Sequence, residues 1–155
     1  MFKSFSGKGM WDVKKILLPS DGSSESRIAY APALDLAKLK EAEIIALYVI
    51  RETYIFWEMP HPEIVVELEE SEKEYGKKVL EEISEIGRKE GVKVSTQIKK
   101  GRPSDTIVKT AKEEGVDLIV MGTQGRGGVK RIIGSVADAV IREAHCPVLA
   151  VRQRK

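Results

Sequence analysis

Two glycine-marked loops hold the residue types in this chain best suited to gripping a phosphorylated ligand. The richer one runs from Gly122 through Gly125, Gly127 and Gly128 to Gly134 and Ser135, and carries Arg126, Lys130 and Arg131. Glycines let the main chain approach a ligand closely and leave backbone N–H groups free to point at phosphate oxygens. Gly134 and Ser135 then open a helical segment, whose first amides and dipole favour an anion. It is not a Walker loop, because no Gly-Lys-Ser/Thr follows. The same residues also suit a plain turn, with Ser135 capping its helix and Asp138 in a capping-box-like role. The second loop is residues 19–24, PSDGSS. There the Asp21 carboxylate is a candidate acceptor for a ribose or a base, while Asp-Gly-Ser-Ser is equally good turn sequence, its Asp satisfied by nearby amides.

These loops converge only if the elements around them place them side by side. Residues 13–19 form a short apolar run stopped by Pro19, read as a buried strand. A helix over 23–40 follows, with Ile28, Ala31, Leu34, Leu36 and Leu39 at helical spacing. Residues 43–50 read as a second buried strand, and 63–90 as a long amphipathic helix whose outer face is Glu and Lys. Residues 92–98 alternate apolar and polar, the pattern of a strand at a sheet edge. A helix over 104–114 capped at Ser104, a strand over 117–121, a helix over 135–144 and a strand over 147–151 complete the chain. Alternation of this kind implies a doubly wound α/β fold, Rossmann-like, with a five-stranded parallel sheet and helices on both faces. In the order 3-2-1-4-5, strands one and four are neighbours. The two loops then face each other across the crevice where such sheets bind ligands.

Composition narrows the function classes. The 155 residues fit one domain, expected over 13–155, behind a flexible N-terminal extension over 1–12. Lys and Arg total 26 against 24 Asp and Glu, a net charge of +2 with no basic stripe, which argues against nucleic acid as a partner. No apolar run is long enough to cross a bilayer, and the opening residues lack the apolar middle of a signal peptide. Cys146 is the one cysteine, so no internal disulfide forms, in keeping with a reducing, cytoplasmic setting. The absence of Asn and abundance of Lys, Glu and Arg hint at a hot-adapted source.

The chain resembles the universal stress protein family from about Lys14 to Arg152. Three stretches carry the likeness: residues 15–23 (KILLPSDGS), residues 47–50 (LYVI), and residues 121–128 (MGTQGRGG) continuing through Gly134, Ser135 and Val136 to 146–151 (CPVLAV). ATP-binding members of that family carry G-x-x-G, a nine-residue spacer and G-[ST]. The resemblance implies that Gly122, Gly125, Arg126, Gly134, Ser135 and Val136 surround phosphates and ribose. It also implies that Pro19 and Asp21 flank the nucleoside, that the Val49 backbone meets the adenine edge, and that Met121 lies beneath. The ligand implied is ATP, or AMP or another adenine nucleotide, with Mg²⁺ accompanying ATP. In this chain eight residues, not nine, separate Gly125 from Gly134. One residue on a helical turn rotates later side chains by about 100°.

The remaining chemistry-bearing residues carry less. His61 and His145 lack metal-ligand spacing, and His145 reads as a partly buried turn residue. Cys146 reads as a packed small side chain. Residues 54–62 (YIFWEMPHP) are too aromatic to lie bare in water and call for a cover, be it nucleotide, long helix or second subunit. Strand 147–151 would be an apolar sheet edge, and universal stress proteins commonly dimerise through it, so a homodimer is expected. No residue stands out as a base to activate water. A stress-response regulatory module that binds nucleotide is therefore the leading reading, ahead of a slow nucleotide hydrolase or a dimeric interaction protein without nucleotide.

Overall fold

The computed structural model describes residues 12–52, 61–124 and 133–153. In chain order these form β1 (Lys15–Pro19), α1 (Ser24–Arg27), α2 (Tyr30–Lys40), β2 (Glu43–Arg51), α3 (Pro62–Glu90), β3 (Val94–Gly101), α4 (Pro103–Glu113), β4 (Leu118–Gly122), α5 (Ser135–Glu143) and β5 (Val148–Val151). The five strands make one parallel sheet in the order β3-β2-β1-β4-β5. The expected doubly wound architecture is therefore the observed one.

Successive residues of one strand show why the sheet is covered twice. Leu17 and Leu18 point to opposite faces, and both are fully buried. On one side Ile16, Leu18, Ile44, Ala46 and Tyr48 pack against Ala33, Leu34, Val79 and Ile83 of α2 and α3. On the other, Leu17, Ile45, Leu47 and Met121 pack against Ile107 and Ala111 of α4 and Ala137 and Val140 of α5. Each fully buried aliphatic side chain contributes about 1.5–3 kcal/mol, so the two layers account for the sheet's position between the helices. At the far end of the sheet, the Asp117 carboxylate accepts the amides of both Lys14 and Lys15 at 2.9 Å, which locks the start of β1 beside β4.

Three local expectations need correction. The single helix over 23–40 is two, because Pro32 cannot donate to the Ile28 carbonyl and its ring would collide with it. Accordingly α1 ends with Ile28 as its C-cap and α2 starts afresh at Tyr30. The third strand begins two residues later and ends three later than the alternation suggested. Val92 belongs instead to the exit of α3, where its amide bonds the Gly87 carbonyl at 2.8 Å around Gly91 in the left-handed region. Finally, α4 is not capped by Ser104. Its N-cap is Arg102, and Pro103 takes the first helical position, which suits a fixed φ and a missing N–H.

Candidate functional site

The loop after β1 is built around one buried hydroxyl. Ser20 Oγ lies 3.0 Å from Ser26 Oγ and 2.6 Å from Tyr30 Oη, and accepts the Gly22 amide at 3.1 Å. Burial is the main reason the Tyr30 phenol is raised above its ordinary pKa. Asp21 Oδ1 accepts from the Ser23 amide at 2.9 Å and from its hydroxyl at 2.5 Å, and Ser23 Oγ in turn accepts the Ser26 amide at 3.1 Å to start α1. The turn reading of Asp21 is thus observed, and the same residue also faces the cavity between the loops. Gly22 has φ +78°, and a Cβ there would fall 2.5 Å from the Tyr75 hydroxyl, so the turn needs glycine on both counts.

The neighbouring strand outlasts β1. The Ser20 amide donates to the Leu47 carbonyl at 3.0 Å, the last rung of the β1–β2 ladder among the described residues. In a parallel strand the N–H and C=O of one residue face the same neighbour, and those of the next face the other side. Two residues beyond Leu47, the backbone of Val49 therefore faces the β1 side where β1 has already ended.

Across the crevice, β4 ends in Met121 and Gly122, with Thr123 still buried. A Cβ on Gly122 would sit 2.5 Å from the Glu25 carbonyl oxygen, so the α1 backbone crosses β4 at glycine distance. The Gly134 amide donates to the Thr123 carbonyl at 2.7 Å and pins the start of α5 against this strand end. Gly134 is the extended N-cap of α5, and no side chain caps the helix. Asp138 does not act as a capping-box acid, because its carboxylate bridges to Arg142 at 3.1 Å, one turn on. Ser135 is exposed at the first helical position. Among the described residues, the amides of Ser135, Val136 and Ala137 meet no acceptor. These are the orphan donors that any helix start presents.

A cavity of about 360 Å³ joins the three segments. Of the residues singled out from sequence, Pro19, Asp21, Val49, Met121, Gly122, Gly134, Ser135 and Val136 all line it. Gly125 and Arg126 lie outside the described residues, as do the first eleven residues and most of the aromatic stretch 54–62. Sequence reasoning missed Ser26, Arg51, Pro103, Ile107, Thr123 and Gln124, which also line the cavity. Thr123 and Gln124 were legible as part of the glycine loop. Pro103 and Ile107 carried only a core-helix signal, and packing of α4 over β2 alone brings them here. Asp21 is the one carboxylate, and Arg51 the one cation, that line the cavity among the described residues.

Outside the cavity little chemistry gathers. Among the described residues no group of three or more His, Cys, Asp or Glu side chains is placed to hold a metal. His61 pairs with Glu63 at the surface. His145 is exposed rather than partly buried, since the short connection from α5 to β5 runs over the solvent side. Cys146 is half-buried, and burial pushes its thiol pKa up, the opposite of a reactive thiolate. No helix among the described residues is long and apolar enough to cross a membrane. A second depression, over Lys78, Glu81 and Arg88 on the outside of α3, is an open charged surface of one helix.

Sheet order, covering helices and a cavity at the switch point define a doubly wound α/β protein with a ligand-sized site at the carboxyl ends of its strands. A sequence model of the universal stress protein family matches residues 12–152, and the chain belongs to that family. It is 41% identical over 143 residues to a universal stress protein of Methanocaldococcus jannaschii, covering 92% of this chain and 84% of that one. Among solved structures, hypothetical protein MJ0577 aligns with TM-score 0.81 at 38% identity, covering 92% of this chain and 98% of that one. Three more distant structures share the fold at 22% identity: a universal stress protein in complex with cAMP, one from Arabidopsis thaliana with AMP bound, and one from Archaeoglobus fulgidus in complex with dAMP. They cover 92%, 91% and 90% of this chain and 98%, 92% and 98% of their own, with TM-scores 0.66, 0.68 and 0.65.

Proposed function

We propose that the chain is a regulatory module of universal stress type that binds ATP or another adenine nucleotide between the loops after β1 and β4. The observation that carries this reading is the start of α5: three first-turn amides without acceptors among the described residues, two of them on residues placed in sequence at the phosphates. The amides of Ser135, Val136 and Ala137 take the phosphate, while Gly122 and Gly134 let the backbone approach it. Gly125 and Arg126 belong to the same proposed set. The strand-end backbone of Val49 meets the adenine edge, Pro19 and Asp21 flank the nucleoside, and Met121 forms the floor. Bound cAMP, AMP and dAMP in the three distant universal stress proteins support a nucleotide of this kind. Any Mg²⁺ travels with the phosphates of ATP, in keeping with its preference for phosphate and water ligands.

Binding rather than turnover is the main event. Among the described residues the cavity holds one carboxylate, whose Oδ1 is engaged by Ser23, and no His, Cys or Lys to activate water. The module acts as a cytoplasmic homodimer through β5, an edge strand whose Leu149 is 39% exposed.

Thermal unfolding with ATP, ADP, AMP or cAMP, with and without Mg²⁺, tests the site. A ligand at 100 times its Kd stabilises by about 2.7 kcal/mol, or about 5–11 °C for a domain of this size. Ser135→Glu places a carboxylate at the helix start. It should leave the free protein as stable or up to about 1 kcal/mol more so, and remove the nucleotide shift by repulsion. An unchanged shift in Ser135→Glu refutes the phosphate assignment. No shift in the wild type with any nucleotide, and none released from fresh protein on denaturation, favours the rival reading of an interaction module without nucleotide.

A further inference from the structure

Arg51 stands where the nucleotide reading leaves a gap. It is the last residue of β2, and its pairing with Gly101 continues an unbroken register that starts at Ile44 and Val94. Alternation therefore puts its side chain on the sheet face of Leu47 and Val49, the face covered by α4. All three line the cavity, and Pro103 and Ile107 of α4 line it as well. Apolar side chains of β2 and α4 thus border one part of the cavity, and Arg51 lines it from the last position of β2. The cross-strand neighbour Gly101 has no side chain to cover it. Nearby cations on β3 are committed: Lys99 pairs with Glu113 at 3.3 Å, and Lys100 pairs with Glu69. Among the described residues, Arg51 makes no ion pair or hydrogen bond, although it is exposed and lines the cavity.

The geometry points to Arg51 as a specificity residue that closes the base end of the site by laying its guanidinium on the purine. This rests on the nucleotide reading and adds to it the group that holds the base. A guanidinium is planar and weakly hydrated, so it stacks on aromatic faces, and apolar walls suit a flat ring. The phosphates lie at the other end, on the amides of α5, so Arg51 contributes to the base and not to the charge of the ligand. The same placement makes the contact sensitive to planarity rather than to positive charge alone.

Titration calorimetry with adenosine and AMP, on wild type, Arg51→Ala and Arg51→Lys, tests this. Arg51→Ala should weaken adenosine and AMP by the same factor, about three- to thirty-fold, with an unchanged urea midpoint. Arg51→Lys should recover only part of the loss. Three results overturn the assignment: a loss confined to AMP, which makes Arg51 a phosphate contact; full recovery by Lys; or unchanged affinity in Arg51→Ala. If wild type binds neither compound nor ATP, the nucleotide reading itself fails, an outcome distinct from wild-type binding that ignores the Arg51 substitution.

Discussion

Replacing Ser20 with Ala should cost several times more stability than replacing Tyr30 with Phe, although both changes break the same hydrogen bond. In the wild type, Ser20 Oγ meets Ser26 Oγ at 3.0 Å, Tyr30 Oη at 2.6 Å and the Gly22 amide at 3.1 Å, and all three bonds are buried. Tyr30→Phe removes one contact and strands nothing, because Ser20 still accepts from Gly22 and still has Ser26. The expected loss is about 1 kcal/mol. Ser20→Ala leaves the Gly22 amide and the Tyr30 hydroxyl without partners, while Ser26 keeps its bond to the Ser23 carbonyl at 3.0 Å. Two stranded buried groups at about 1–3 kcal/mol each give about 2–6 kcal/mol. Urea unfolding reads both, with the midpoint moving and the slope constant. The double variant supplies the decisive comparison. Once Ser20 is gone, Tyr30→Phe removes a stranded hydroxyl, so the double variant should be at least as stable as Ser20→Ala alone. Simple additivity, or equal costs for the two single variants, would refute the hub and with it the account of how the first loop holds its shape.

The same tyrosine sets an alkaline limit: its pKa is raised in the fold, mainly by burial, so its contribution is complete below about pH 10 and is lost as pH rises through the higher folded value. Tyr30→Phe should flatten that part of the stability profile measured by denaturant titration between about pH 9 and 11. Gly122→Ala should destabilise by about 1–3 kcal/mol and blunt any nucleotide shift, because its Cβ would meet the Glu25 carbonyl oxygen at 2.5 Å; wild-type stability would show that α1 yields freely. Leu149→Lys should shift the sedimentation coefficient toward the monomer, and an unchanged mass would exclude β5 as the dimer edge.

How legible the protein was from its residues differs from element to element. The apolar runs of β1, β2 and β4 were plain, because a strand buried on both faces has no polar positions to blur it. The two loops were equally visible as loops, since glycine, Asp and Ser gather where a strand ends, but the same residues suit a plain turn as well as a ligand. The break at Pro32 was legible but hidden by good helical spacing on both sides, and the late start of β3 by the way Val92 completes the exit of α3. Ser104 looked like a cap by type, yet Pro103 before it moved the helix start one residue earlier.

Periodicity and local chemistry therefore determined the element order and marked the two loops, while the resemblance of short motifs pointed to the family and to eight of the residues that line the cavity, because each depends on residues close together in the chain. Tertiary structure alone decided what the wall lacked. It set α4 across β2, carried Pro103, Ile107 and Arg51 to the cavity, and ended β1 two residues short of Val49. It also sent Asp138 to Arg142 and left the amides at the start of α5 without acceptors among the described residues. Those outcomes turn on which strand lies beside which and where each one stops, and such distances arise only when separate layers pack against a common sheet.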